Sequence, residues 1–183
     1  MSFSLHGPGL WYATRATGLV TLALLTGSVL LGVLTAGRFA TERWPRFLTV
    51  GLHRNLSLLA VAFLALHVGT TVIDTYTSIP VTAAFIPFSS SYKTIWLSLG
   101  AVACDLLLAL VITSLVRNRL GHRTWRRVHW IAYACWPVAL GHGLGIGTDR
   151  STIWVFAATI CCVAMVAAAA TWRFVTGARA GAR

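Results

Sequence analysis

The chain has 183 residues, of which 57% are hydrophobic and only 10% charged, with a formal net charge of +11 and a mean hydropathy of +0.75. This composition excludes an ordinary soluble domain and indicates an integral membrane protein. The basic residues sit in short segments between apolar runs, so they read as a topology signal and not as a nucleic-acid surface.

The length allows about five spanning helices with short connections, hence one integral domain with no space for a soluble nucleotide-binding module. Residues 1–15 lack the basic start of a signal peptide, and Gly7-Pro8-Gly9 is expected to break an early helix. They are expected to form an extracytoplasmic segment. Helix one is predicted over 16–36, with Gly18, Gly27 and Gly32 allowing close approach of a neighbouring helix or a flat ligand. Helix two is predicted over 49–73. An aromatic, nearly uncharged connection, DTYTSIPVTAAFIPFSSSYK, follows and is expected to lie on the membrane surface. Helix three is predicted over 94–116, with Asp105 near its middle; a carboxylate there should face the interior and find a partner such as Tyr133 or a histidine ring. Helix four covers RVHWIAYACWPVALGHGLG, 127–145, and ends near Gly147; helix five is predicted over 152–174. Residues 175–183 are expected to be a basic, disordered cytoplasmic tail.

Eleven basic residues fall in the first connection, the third connection and the carboxyl-terminal end, against Arg15, Lys93 and Arg150 on the other side. The positive-inside rule then places the amino terminus outside and the carboxyl terminus in the cytoplasm of a multi-pass cell-membrane protein. Cys104, Cys135, Cys161 and Cys162 all lie in apolar segments and form no CxxC or CxxCH, so neither a zinc knuckle nor covalently attached heme is indicated.

The chemistry-bearing residues are four histidines in two apolar stretches. His53 and His67 are fourteen residues apart in GLHRNLSLLAVAFLALHVG; His129 and His142 are thirteen apart in helix four. At about 1.5 Å rise per residue each pair spans roughly 20 Å, so one imidazole falls near each edge of the hydrocarbon core. Helices two and four run in the same direction. His53 and His129 therefore share the inner level, and His67 and His142 the outer. Such matched pairs suggest two bis-histidine hemes stacked across the membrane, each imidazole needing its second ring nitrogen held, for instance by a carbonyl one turn earlier in its own helix. Fourteen residues return within about 40° of one helical face, whereas thirteen miss by about 140°; Pro137, between His129 and His142, removes a backbone bond and is expected to permit a kink or local rewinding that eases the phase error. Arg54, Arg126 and Arg127 lie at the inner level and could clamp heme propionates by their guanidinium forks. Tyr92, Lys93, Arg150 and Ser89 to Ser91 are the outer candidates. His122 is expected to be solvated.

The histidine spacing on alternate helices, with LHRNLSLLAVAFLALHV, IPFSSSYKTIWLSLG, DLLLALVITSLVRNRLGHRTWRRVHW and YACWPVALGHGLGIGTD, resembles the ferric reductase-like transmembrane family, in particular its short members without a flavin domain. The similarity runs from about Ala16 to Trp172. It implies an all-α integral membrane bundle of about five transmembrane helices holding two stacked b-type hemes in residues 16–174. His53 and His129 would ligate the inner heme b, His67 and His142 the outer. Longer members carry an additional early helix, and reductases proper carry a flavin and nicotinamide module. No bound flavin is expected in this chain, so its electrons would come from a cytoplasmic flavin or iron–sulfur donor, or from quinol. The acceptor would be an extracytoplasmic flavoprotein, metalloenzyme or ferric chelate, reached by outer-sphere transfer because both axial positions are filled. The competing readings are a quinol-oxidising cytochrome b subunit, and a non-redox metal transporter or membrane anchor.

Overall fold

The computed structural model describes residues 8–75, 78–148 and 152–181. Among these, every regular element is helical: α1 (Pro8–Ala36), α2 (Arg46–Ile73), a single 3-10 turn (Val81–Ala84), α3 (Thr94–Leu115), α4 (Arg117–Leu120), α5 (His122–His129), α6 (Ala132–Ile146) and α7 (Ile153–Gly181). Four of them, over Gly9–Ala36, Arg46–Ile73, Thr94–Leu115 and Ile153–Val175, are long and apolar enough to cross a membrane. Helices are what such sequences must form, because in hydrocarbon each backbone N–H and C=O has to be paired within its own segment. Large apolar side chains such as Leu66, Leu115, Ile153 and Phe156 are exposed on α2, α3 and α7. That suits contact with lipid tails and not with water.

Several boundaries differ from the sequence expectation. α1 starts at Pro8, well before Ala16. Proline is tolerated in a first helical turn, where its missing N–H would be unpaired anyway. α2 starts at Arg46, directly after Pro45 and ahead of the expected start at Thr49. α7 continues past Phe174 to Gly181.

The largest difference concerns the fourth apolar stretch. It is not one helix kinked at Pro137 but two helices, α5 and α6, separated at Trp130 and Ile131. Pro137 sits within α6. Around the break, N–H groups reach back three residues: Trp130 to Arg127, Ile131 to Val128, Tyr133 to Trp130 and Ala134 to Ile131. Such steps wind about 120° per residue instead of about 100°. Four of them add roughly 80°, which recovers more than half of the 140° phase deficit between His129 and His142.

The chain divides into two compact units. The first comprises Met1–Leu22 with Val61–Gly147; the second comprises Ala23–Ala60 with Thr148–Arg183. In the first, α3 packs along α6 and α5. Its buried face is made of Ser98, Ala101, Ala103, Cys104, Leu107 and Leu110, met by Cys135 and Trp136 of α6. Asp105 lies outside this face and is exposed, contrary to the expectation of an inward carboxylate. The loop before α3 is tied down by the Phe88 N–H donating to Ser98 Oγ at 2.8 Å, with Ile79 and Ala83 buried. In the second unit, Trp44 Nε1 donates to the fully buried Thr49 Oγ1 at 2.9 Å, and the backbone of Gly37 lies against the Trp172 ring.

α6 packs tightly on α3 where Gly145 faces Trp96: a Cβ on Gly145 would overlap the indole, whereas one on Gly143 meets nothing within 4 Å. Gly145→Ala is therefore expected to cost about 1–3 kcal/mol by overpacking, seen as a lower melting temperature of the purified protein in detergent. Gly143→Ala should melt at or slightly above the wild-type temperature, since alanine is the better helix former. Equal melting of the two variants would contradict a close contact at Gly145.

Candidate functional site

His67 and His142 both lie in the first unit. His67, on α2, donates its Nδ1–H to the carbonyl of Thr14 on α1 at 2.8 Å. His142, on α6, donates its Nδ1–H to the carbonyl of Trp96 on α3 at 2.9 Å. A carbonyl can only accept, so each bond fixes the tautomer: Nδ1 carries the proton and Nε2 keeps its lone pair. The two ring centres are 6.2 Å apart and the ring planes stand at 82°. Each ring also rests on a glycine one turn beyond its carbonyl. A Cβ on Gly18 would lie 3.0 Å from Cε1 and Nδ1 of His67, and one on Gly100 would lie 2.6 Å from the same atoms of His142.

His53 repeats the arrangement in the second unit. Its Nδ1–H donates to the Ser28 carbonyl at 2.9 Å, and its ring edge lies over Gly32, where a Cβ would come within 3.4 Å of Cε1. The Ser28 hydroxyl stands 3.4 Å from the same Nδ1 and 2.7 Å from Ser57 Oγ. His129, in the first unit, is seated differently. Trp125, one turn earlier on α5, stacks on its ring at 4.9 Å and 27°, and is itself held by Nε1 donating to Ser114 Oγ on α3 at 3.3 Å. His122 is exposed and makes an edge contact with the same indole, ring centres 5.6 Å apart.

The structure thus brings His67 and His142 together. His53 and His129 fall in different units, and each is defined by its own surroundings. The anchoring carbonyls come from the neighbouring helix, not from one turn earlier in the histidine's own helix as the sequence reading expected. Arg54 follows His53 on α2, and Arg126 and Arg127 precede His129 on α5; all three side chains are exposed. Of the outer polar candidates, Lys93 donates to the terminal carbonyls of α6, Gly145 and Ile146, both at 3.3 Å. Ser89 donates to the Ile86 carbonyl at 2.7 Å, and Ser90 accepts from the Tyr92 N–H at 3.2 Å. Arg150 lies outside the described residues.

Of the residues that seat the rings, sequence reasoning singled out Gly18 and Gly32 for close approach, without linking them to the histidines, and missed Thr14, Ser28, Trp96, Gly100 and Trp125. A signal was present. Thr14 and Ser28 are fourteen residues apart, as are Gly18 and Gly32, matching the fourteen between His53 and His67.

A family profile described as "Ferric reductase like transmembrane component" matches residues 17–140, well over half of the chain. The chain belongs to the ferric reductase-like transmembrane family. No match was found among curated proteins or among solved structures. Membership implies electron transfer within a membrane, and domains of this family typically bind heme.

The His67–His142 pair fits such a group as a ferric reductase-like domain would hold it. Both rings commit Nδ1–H to a carbonyl and keep the Nε2 lone pair, and their centres are 6.2 Å apart, so one group between the helices would draw a ligand from each. Among the described residues no three His, Cys, Asp or Glu side chains gather around a possible bare metal ion; a heme asks the protein for only two ligands, because the porphyrin supplies the other four.

Because backbone carbonyls hold the rings, the hydroxyls beside them should matter little. Thr14→Ala removes the 2.9 Å bond from Thr14 to Thr70 and leaves the carbonyl in place; Ser28→Ala does the same beside His53. Each is expected to cost about 0.6 kcal/mol, the usual worth of one hydrogen bond between membrane helices, read as a small shift in melting temperature. A loss several times larger would mean that the hydroxyls, and not the carbonyls, fix the imidazoles.

Proposed function

We propose that this chain is a diheme b-type electron-transfer protein that moves electrons across the membrane from a cytoplasmic donor, or from quinol, to an acceptor on the opposite side. The observation that carries this reading is the outer pair: two imidazoles 6.2 Å apart in apolar helices, each with Nδ1–H committed to a carbonyl. Imidazoles arranged for ligation have this character. A second-shell acceptor fixes the tautomer, orients the ring and raises the basicity of the other nitrogen.

His67 and His142 are assigned to the outer heme b, His53 and His129 to the inner one. The equal anchoring of His53 by Ser28 supports the second centre. Iron porphyrin supplies reversible one-electron chemistry when bound. The chain's own residues do the rest: they hold two axial nitrogens, bury the macrocycle among apolar side chains and exclude other ligands. A heme held by a histidine pair would have no position open to substrate, so the transfer would be outer-sphere. Arg54, Arg126 and Arg127 are assigned to the inner propionates, since an arginine fork matches a carboxylate and these side chains are exposed beside the inner histidines.

The distribution of arginine supports the direction. The segments carrying Arg38, Arg43, Arg46 and the cluster from Arg117 to Arg127 belong on the cytoplasmic side, which puts the amino-terminal end outside. The donor would be a cytoplasmic flavin or iron–sulfur protein, or quinol; the acceptor an outward-facing flavoprotein, metalloenzyme or ferric chelate.

The purified chain is expected to contain two non-covalent hemes and to give a b-type spectrum on reduction with dithionite. His67→Ala and His142→Ala should each lower the heme content by about half, and the double variant should lower it no further. Folded, colourless wild-type protein would refute the proposal, and so would full heme content in either single variant.

A further inference from the structure

Three of the four imidazoles sit on the same small device. A carbonyl on the adjacent helix accepts from Nδ1: Thr14 for His67, Ser28 for His53 and Trp96 for His142. Four residues later stands a glycine: Gly18, Gly32 and Gly100. In each case the atoms nearest to a Cβ built on that glycine include Cε1 and Nδ1, the same edge of the ring.

The geometry has a simple cause. A helical carbonyl already accepts from the N–H four residues on, but it keeps a second lone pair. The residue four positions on overlies that carbonyl on the helix surface. If it carries a Cβ, a ring approaching the free lone pair meets a methyl; if it is glycine, the ring edge can settle onto the backbone.

The fourth position departs from the pattern in an informative way. Fourteen residues beyond Gly18 stands Gly32, but fourteen beyond Gly100 stands Ser114. Ser114 Oγ accepts from Trp125 Nε1, and the Trp125 indole stacks on His129. Where the glycine is missing, an indole takes over the seating of the ring.

We propose that Gly18, Gly32 and Gly100 are positioning residues for axial ligation, each setting the ring angle of one histidine by admitting it to a helix carbonyl. This rests on the heme assignment of the preceding subsection. The three glycines are not equivalent: a Cβ would come to 2.6 Å of the ring at Gly100, 3.0 Å at Gly18 and 3.4 Å at Gly32. The effect of a methyl should fall in that order. Gly143 and Gly69 offer matched controls. They lie one and two residues from His142 and His67, yet a Cβ on either meets nothing within 4 Å.

The test uses the full-length chain purified in detergent, with heme per chain, the reduction potential of each heme and the low-spin electron paramagnetic resonance signal as readouts. Gly100→Ala is expected to displace one of the two hemes, so that content falls from two toward one per chain. Gly18→Ala should keep both while shifting the potential and the resonance signal of one only, and Gly32→Ala should change the other one least. Gly143→Ala and Gly69→Ala should match wild type throughout. If Gly100→Ala fails to fold, Gly18→Ala decides the matter by its spectrum and potential. Wild-type content, potentials and signals in both Gly100→Ala and Gly18→Ala would overturn the positioning role while leaving the heme assignment standing. A wild-type chain without heme would overturn both together.

Discussion

The structure depends on one interaction, the hydrogen bond from an imidazole Nδ1–H to a backbone carbonyl of the next helix, made at 2.8–2.9 Å by His67, His53 and His142. A polar ring in an apolar span is costly unless its donors and acceptors are met. Meeting the donor with a carbonyl settles three matters at once. The ring is held at a fixed angle, the tautomer is fixed, and the remaining nitrogen keeps the lone pair that a metal needs. The glycines beneath the rings, and the close approach of α3 to α6, follow from that requirement.

A carbonyl is a useful anchor because the helix supplies it whatever the side chain is. This explains why the four histidines were legible in the sequence while their supports were not. Imidazole at matched spacing in an apolar run has few other uses, so His53, His67, His129 and His142 stood out. Thr14, Ser28 and Trp96 act through backbone oxygen and leave no mark in residue type. Their glycines did leave one, in the fourteen-residue steps from Gly18 to Gly32 and from His53 to His67, but small residues in apolar helices more often serve plain helix packing. The helical fold and its apolar spans were readable from hydropathy. The break at Trp130 and Ile131 was not, because neither glycine nor proline stands at it. Pro137 drew attention as the local signal and sits within an unbroken α6. Asp105 was misjudged because the inward-facing rule assumes a polar interior, whereas the buried face of α3 is lined mostly by alanine, cysteine and leucine.

For electron transfer, rigid seating has a direct benefit. Iron that keeps the same two ligands in both oxidation states needs little rearrangement as the charge changes, and the surrounding apolar helices contribute few dipoles that must turn. The protein's work is placement, in keeping with its membership of the ferric reductase-like transmembrane family. The two proposed centres are not seated alike: the outer ligands both rest on a carbonyl and a glycine, while His129 rests on Trp125. In the proposed diheme arrangement, that difference would set the two potentials apart.

The most direct measurement is the low-temperature electron paramagnetic resonance spectrum of the oxidised, purified protein, which reports the spin state and axial ligands of each iron. The account predicts ferric iron entirely low-spin, with two distinguishable bis-imidazole signals, and the outer one carrying the strong anisotropy of nearly perpendicular ligand planes, as the 82° between His67 and His142 requires. A dominant high-spin signal, or one that identifies a ligand other than imidazole, would contradict it.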